Sequence, residues 1–196
     1  AIAWMRKSTE PALLELATGS GKSHIAAAIA KWITQKTGKK VLVLQPSKEL
    51  TSQNFEKYLA TGSNASIFSA SVGSKCTRHN VVYATPKTVL NSVSRFGDAF
   101  ACVIVDEAHM TTPTIKQIIA HIAAKNPMLR VIGMTATPYR LGTGYIYQYD
   151  ATGERISKLD TDETIDAYYH SLLYKINTRA LIDMGFLTPA HTDTTA

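Results

Sequence analysis

A glycine-rich turn after an apolar run constrains this chain more than any other stretch of its sequence. The run begins at Leu13 and leads through Gly19 and Gly21 into Lys22 and Ser23, where an Ala-rich helical pattern starts. Such glycines can adopt the positive φ angles that let backbone N–H groups surround a phosphate, and the following helix adds its positive N-terminal end. The pattern predicts a phosphate-binding loop, and an ordinary Gly-Ser turn is the alternative.

The residues of this loop have distinct predicted roles. Lys22 would reach the β- and γ-phosphates of a nucleotide, and the Ser23 hydroxyl would hold Mg²⁺. The common form of the loop has glycine five positions before Gly21, where this chain has Leu16, so the match is partial. The residues expected to bind the nucleotide are Thr18, Gly19, Ser20, Gly21, Lys22 and Ser23.

The composition suits one large globular domain and favours a polyanionic partner. Of 196 residues, 45% are hydrophobic, and 21 Lys and Arg against 15 Asp and Glu give a formal net charge of +6. No apolar run is long enough to cross a bilayer, and the N-terminus lacks the pattern of a signal peptide. We therefore expect a cytoplasmic protein without a membrane partner.

Apolar strands alternate with helical patterns along most of the chain. Strands are predicted before the loop and at 39–45, 65–69, 81–84, 100–105 and 130–134, and helices at 23–36, 47–59, 85–94 and 113–124. This alternation predicts an α/β fold, a mostly parallel sheet with helices on both faces that binds ligands beyond the carboxyl ends of its strands. The chemically suggestive clusters all follow strand ends.

The pattern changes at about residue 140. We expect residues 1–140 to form the nucleotide-binding domain, and residues 141–196 to form an appendage of a β-hairpin and a helix. A short helix from Thr178 with a stop at Gly185 leads into a predicted exit strand. This end resembles a connection to a further domain.

Three alternating tyrosines mark the predicted hairpin. Tyr145, Tyr147 and Tyr149 precede a turn at 150–153 and a return strand at 154–157, and the pattern predicts a hairpin that projects from the sheet. Their shared face could stack on bases, but no Lys or Arg lies between them. Packing against the domain itself is therefore favoured.

An acidic pair follows the longest apolar strand. Asp106 and Glu107 come directly after Val105. Opposite a phosphate loop, such a pair suits metal-assisted hydrolysis of a nucleoside triphosphate: Asp106 would bind Mg²⁺, and Glu107 would orient and deprotonate the attacking water. An acidic turn with a helix-capping aspartate is the alternative.

Five motifs together resemble those of superfamily-two helicases. In chain order they are residues 17–23, 46–50 with Gln53, 84–86, 106–109 and 135–138. The chain resembles the first RecA-like domain of a DEAH-type helicase, whose form of the loop does not require the early glycine. Residues 135–147 are similar to the RadD-like repair helicases of bacteria and phages.

The resemblance implies ATP and Mg²⁺ as cofactors, and DNA, as a single strand or duplex, as the partner, with RNA also open. His109 would act in catalysis with Lys22, Asp106 and Glu107. Thr135 and Thr137 would couple the γ-phosphate site to domain movement. The residues that would line the nucleic-acid path are Ser47, Lys48, Thr85 and Pro86.

This sequence departs from the family pattern in several respects. Lys48 stands where many relatives have Arg, and Thr88 where several have a basic residue. The family's adenine-recognition segment and its second RecA-like domain, which supplies an arginine finger, are not visible. Because that arginine contributes about 10³ to 10⁵ in rate in related systems, we expect this segment alone to be nearly inactive and its partner domain to lie in the same chain.

Three other functions fit parts of the pattern. A small P-loop kinase shares the loop, but the Thr-Ala-Thr-Pro sequence at 135–138 argues against it. A binding module without hydrolysis is disfavoured because Lys22, Ser23, Asp106 and Glu107 are all present. A double-strand translocase without unwinding activity remains an alternative to a helicase.

Overall fold

The computed structural model describes residues 1–157 and 167–188, and its largest element is a nine-stranded sheet. The strands of these residues are β1 (Ala12–Leu16), β2 (Lys40–Leu44), β3 (Ser66–Ser69), β4 (Ser74–Lys75), β5 (Val81–Ala84), β6 (Phe100–Asp106), β7 (Arg130–Thr135), β8 (Tyr139–Arg140), β9 (Gly144–Tyr145), β10 (Tyr147–Tyr149) and β11 (Tyr169–Ile176). The sheet order is β10-β11-β1-β7-β6-β2-β5-β3-β4, and β8 pairs with β9 separately. All neighbours in the large sheet are parallel except β3 and β4.

Six α-helices accompany these strands in the described ranges. They are α1 (Ile2–Met5), α2 (Lys22–Thr37), α3 (Lys48–Leu59), α4 (Pro86–Leu90), α5 (Pro113–Lys125) and α6 (Thr178–Asp183). Gly21 and Gly38, both with left-handed backbone angles, bound α2, and Ser47 caps α3 by accepting a hydrogen bond from the Leu50 N–H. None of the described helices combines the length and apolarity that a membrane span requires.

Apolar side chains pack on both faces of the sheet. Alternate residues of β2 divide between the faces: Leu42 and Leu44 belong to a cluster with the apolar side of α5, and Val41 and Val43 to a cluster with α2. Burial on both faces explains why the strands read as continuous apolar runs. The predicted fold class, a mostly parallel sheet covered by helices on both faces, is confirmed.

The tyrosine-rich segment joins the main sheet instead of projecting from it. β10 pairs in parallel with β11, and the predicted return strand makes a single antiparallel bridge, between Tyr149 and Arg155. Pairing at this sheet edge satisfies backbone groups that a projecting hairpin would leave open. Tyr147 is buried in the core, and the Tyr149 ring stacks on His170 at 4.7 Å between centroids. The tyrosines thus pack against their own domain, as the sequence favours.

Two further predictions concern the helices. The predicted helix at 85–94 is shorter than expected, because α4 ends at Leu90 and a 3₁₀ turn at Val93–Arg95 follows Asn91 and Ser92, residues that favour turns. The short helix α6 and a left-handed Gly185 are both present. The predicted exit strand, which starts within 186–189, is absent from residues 186–188, because the N–H groups of Phe186 and Leu187 donate to the Leu181 carbonyl oxygen and close the helix end. Residues from 189 onward lie outside the described residues.

Gly133 of β7 allows an aromatic ring to lie directly on the sheet. A Cβ atom at this position would be 2.6 Å from the ring of Tyr169, whose hydroxyl is held by Thr111 at 2.9 Å. We expect Gly133→Ala to lower the free energy of unfolding by about 1–3 kcal/mol, because the buried ring must move. Urea denaturation measures this loss.

Gly97→Ala is the matched control for this substitution. Its new Cβ would also lie close to a neighbour, at 2.9 Å, but that neighbour is the Cδ of the flexible Lys125 side chain. We therefore expect little change in the urea midpoint. Equal midpoints for Gly133→Ala and the unsubstituted protein would show that the Tyr169 ring is not confined.

Candidate nucleotide and nucleic-acid site

The predicted phosphate loop connects β1 to the start of α2. Gly19 and Gly21 have φ angles of 84° and 80°, which L-residues with side chains rarely adopt. The Ser20 hydroxyl is buried and has no hydrogen-bond partner among the described residues. An unpaired buried hydroxyl beside the amino end of a 16-residue helix fits a loop built to receive an anion.

Lys22 joins this loop to the acidic pair at the end of β6. Its Nζ lies 3.0 Å from Oε1 of Glu107, and both side chains are largely shielded from solvent. The contact spans 85 residues of sequence. The fold therefore brings together the lysine and the carboxylate that the sequence places in one site.

Asp106 and Glu107 have different environments. The Asp106 carboxyl is buried, which raises its pKa, while a hydrogen bond from the Glu107 N–H at 2.9 Å opposes that shift. Glu107 is the one non-glycine residue of the described ranges with positive φ, at 48°. This left-handed geometry turns consecutive side chains apart, so Asp106 points into the protein and Glu107 reaches Lys22.

Among the described residues, no cluster of three or more His, Cys, Asp or Glu side chains could by itself hold a metal ion. The oxygen donors of Ser23 and Asp106 nevertheless fit Mg²⁺, which usually takes one or two protein ligands together with substrate phosphates and water. Burial raises the pKa of Asp106, and a bound cation would lower it again because it stabilises the charged carboxylate. The donor set therefore suits a magnesium–nucleotide complex better than a metal bound by protein alone.

His109 continues the polar network toward β7. Its Nδ1 lies 2.8 Å from Oγ1 of Thr135 and 3.5 Å from Oε2 of Glu107. The Thr135 Oγ1 also accepts a hydrogen bond from the Thr137 N–H at 3.0 Å. One chain of contacts thus connects the acidic pair to both threonines that the family resemblance singles out.

Two residues of this region were not predicted. Arg140 donates from Nε to the His109 carbonyl oxygen at 2.6 Å, and its guanidinium also contacts the Thr111 carbonyl. Asn54 donates from Nδ2 to Oδ2 of Asp106 at 3.4 Å. Arg140 binds backbone oxygens, which any sequence supplies, and Asn54 is distant in the chain from its partner, so no local pattern indicates either residue.

The predicted nucleic-acid residues lie at the carboxyl ends of β2 and β5. Ser47, Lys48 and Thr85 line an open groove of about 520 Å³, together with Lys87, which the sequence analysis did not single out. Pro86 instead lines a neighbouring, mainly apolar cavity of about 260 Å³ that also reaches Asp106. The groove and the acidic pair therefore lie at the same edge of the sheet.

Thr88 does not serve as a substitute for a missing basic side chain. Its hydroxyl lies 3.0 Å from that of Thr85 and accepts a hydrogen bond from the Ala70 N–H at 3.1 Å. Both threonines are buried, which leaves Lys48 and Lys87 as the cations of the groove lining.

A mostly parallel sheet that carries a glycine-rich loop of the predicted phosphate-binding type after β1 and an acidic pair at the end of β6 has the arrangement of a RecA-like domain of superfamily-two helicases. Residues 1–140 match the family described as "Type III restriction enzyme, res subunit". The match covers most of the chain, and the chain belongs to this family.

Individual relatives agree with this assignment. The chain is 27% identical over 179 residues to "ATP-dependent DNA helicase MPH1" of Pyricularia oryzae, a match that covers 81% of this chain and 16% of the relative. Among solved structures, it is similar to the Pyrococcus furiosus Hef helicase domain (26% identity, TM-score 0.59, 68% of this chain and 31% of that one) and to the UvsW helicase from bacteriophage T4 (25% identity, TM-score 0.56, 66% and 48%). The chain spans less than a fifth of the length of the curated relatives it matches.

Proposed function

We propose that this chain is the ATP-binding half of a nucleic-acid-dependent ATPase that couples hydrolysis to translocation on DNA or to its unwinding. The observation that carries the proposal is the contact between Lys22 of the phosphate loop and Glu107 of the acidic pair, at the sheet edge that also holds the Lys48 groove. A phosphate loop alone would support many nucleotide-binding functions. A phosphate loop, a candidate general base and a positively charged groove at one edge of the sheet together support an ATPase that moves along nucleic acid.

The residues of the loop would hold the triphosphate. Backbone amides from Thr18 to Ser23 would surround the β-phosphate, and Lys22 would exchange its contact with Glu107 for the γ-phosphate. Ser23 and Asp106 would hold Mg²⁺, which when bound neutralises charge on the β- and γ-oxygens. Release of Glu107 from Lys22 would leave its carboxylate free to accept a proton from the attacking water.

His109, Thr135 and Thr137 would transmit the state of the γ-phosphate site. Their hydrogen bonds connect the acidic pair with the end of β7. Arg140 of β8 donates to the His109 carbonyl oxygen and so holds the backbone of this network. A shift of Glu107 on hydrolysis would therefore change contacts at the end of β7. We further propose that a second RecA-like domain supplies the missing arginine finger and that the protein is of the DEAH, RadD-like type that works in cytoplasmic DNA repair.

The groove at the carboxyl ends of β2 and β5 would bind the nucleic-acid backbone. Lys48 is more than half exposed, and within the described ranges its Nζ makes one weak ion pair, 4.0 Å from the carboxylate of Glu49, so it is available to phosphates. Ser47, Pro86 and the backbone of Thr85 would complete the contacts to phosphate and sugar, since the Thr85 hydroxyl is buried and hydrogen-bonded to Ser69 and Thr88. Contacts of this kind would not read sequence, as a motor that moves along DNA requires.

Salt dependence tests this proposal. In the full-length protein, the affinity for labelled single-stranded DNA should fall with salt, and Lys48→Ala should reduce the log–log slope by about one unit because one phosphate contact is lost. Lys57→Ala is the control, because Lys57 is an exposed lysine at the opposite end of the same helix. Its slope should equal that of the unsubstituted protein.

Each outcome of this series has a distinct meaning. Salt-independent binding by the unsubstituted protein would show that its Lys and Arg side chains do not contact nucleic-acid phosphates. The proposal of a nucleic-acid partner would then be wrong. An unchanged slope for Lys48→Ala would remove Lys48 from the path. An RNA oligonucleotide of matched sequence, measured in parallel, distinguishes a DNA motor from an RNA motor.

A further inference from the structure

A buried asparagine of α3 holds the carboxylate proposed to bind magnesium. Asn54 is 6% exposed, and its Nδ2 donates to Oδ2 of Asp106. The other carboxylate oxygen, Oδ1, accepts the Glu107 N–H at 2.9 Å. The two oxygens of Asp106 are therefore oriented by two different elements, the turn after β6 and the helix α3.

Packing does not fix the Asp106 side chain on its other side. The mainly apolar cavity of about 260 Å³ reaches Asp106 there, next to Gln45, whose side chain also hydrogen-bonds the Asp106 carboxylate and whose Oε1 is buried without a partner among the described residues. With open space on one side, the orientation of the carboxylate depends on its hydrogen bonds. Asn54, together with Gln45, thus has a larger effect on this side chain than it would have in a filled core.

Helix α3 also begins at the proposed nucleic-acid groove. Its cap Ser47 and first residue Lys48 line the groove, and Asn54 lies seven residues after the cap, about 10 Å along the helix axis. A 12-residue helix moves largely as a unit. At 3.4 Å the Asn54–Asp106 hydrogen bond is near the outer limit of such bonds, so a small helix movement can tighten or break it.

We propose that Asn54 is a positioning residue that orients Asp106 for Mg²⁺ and transmits phosphate binding at the start of α3 to the metal site. The inference rests on the proposed function, since it assumes that Asp106 holds the ion and that Lys48 meets phosphates. It adds a route between these two sites that requires no contact of Asn54 with either ligand.

Calorimetry with ADP in the full-length protein tests the positioning role. Asn54→Leu keeps the approximate size of the side chain but removes the donor, and we expect the affinity for ADP with Mg²⁺ to fall about tenfold or more. Affinity for ADP in EDTA should stay unchanged, because the Asn54 side chain hydrogen-bonds Asp106 and not the loop in the described part of the chain. Tyr58→Phe, which alters the same buried side of α3 one turn later, should change neither affinity.

A second variant covers the case in which Asn54→Leu fails to fold. Asn54→Ser fits the same space but is too short to reach Asp106, and it should show the same loss confined to the magnesium form. Equal loss in both nucleotide forms, or no loss in a folded variant, would overturn the positioning role. If the unsubstituted protein bound ADP equally well with and without Mg²⁺, the proposed function itself would fail, and the inference with it.

Stimulation of ATP hydrolysis by single-stranded DNA tests whether phosphate binding at the start of α3 affects the magnesium site. At saturating Mg²⁺, the ratio of rates with and without DNA should fall toward one in the Asn54 variants and stay at its original value in Tyr58→Phe. Full stimulation in a folded Asn54 variant would overturn the route through α3 even if the magnesium effect were present.

Discussion

Replacement of Glu107 by glutamine is expected to slow ATP hydrolysis by the full-length protein about 10²- to 10⁴-fold, the usual contribution of a general base. Nucleotide affinity should stay equal or become slightly tighter, because the neutral amide no longer competes with the γ-phosphate for Lys22, which lies 3.0 Å from the carboxylate. Single-turnover rates and separate binding measurements distinguish the two quantities.

The control for this variant is Glu56→Gln, which removes an exposed carboxylate from α3 and should change neither quantity. Parallel losses of affinity and rate in Glu107→Gln would assign Glu107 a structural role in the turn after β6. Loss of rate with affinity intact would instead place its action in the transition state.

The centre of the site could be predicted from sequence because its parts are local and its assembly follows from topology. The phosphate loop and the acidic pair each occupy a few consecutive residues after an apolar strand. In a parallel sheet, every such end lies at the same edge, so Lys22 and Glu107 meet although 85 residues separate them. The pairing of β1 and β6 with the common neighbour β7 completes this arrangement.

The positive φ of Glu107 could not be predicted from the sequence. Glutamate rarely adopts this conformation, which costs of order 1–3 kcal/mol, and nothing in the neighbouring sequence requires it. Two contacts accompany the conformation: Lys22, distant in the chain, attracts the carboxylate of Glu107, and the adjacent Asp106 carboxylate accepts its N–H. Local pattern therefore locates the acidic pair but does not orient it.

The local sequence pattern also does not predict strand β11. It pairs with β1 from Ala12↔Ser171 to Leu16↔Ile176, a separation of about 160 residues, and its sequence mixes apolar with polar and charged side chains. Its polar residues interrupt both the alternating and the continuous apolar pattern of a strand, and its pairing depends on the edge that β1 offers. The same reason explains why the predicted hairpin forms its turn but does not project from the sheet, because β10 pairs with β11.

Removal of the Lys22 side chain is expected to give the largest loss of binding. Lys22→Ala should weaken Mg²⁺–nucleotide affinity about 100-fold or more, since loss of one partner from a shielded charge pair costs 2–5 kcal/mol and each 1.4 kcal/mol is a factor of ten. Calorimetry with ADP and with a non-hydrolysable ATP analogue measures the effect. The ATP analogue should lose more, because Lys22 is expected to reach the γ-phosphate.

Lys31→Ala on the same helix separates this effect from a general loss of positive charge. Lys31 is exposed, carries the same charge and lies nine residues further along α2, so its removal should leave both affinities unchanged. Circular dichroism should show that Lys22→Ala remains folded, since the pair with Glu107 is a single partly buried contact. A folded Lys22→Ala protein with unchanged affinity would show that the turn from Gly19 to Ser23 is not a phosphate loop, and the proposed ATPase would fail with it.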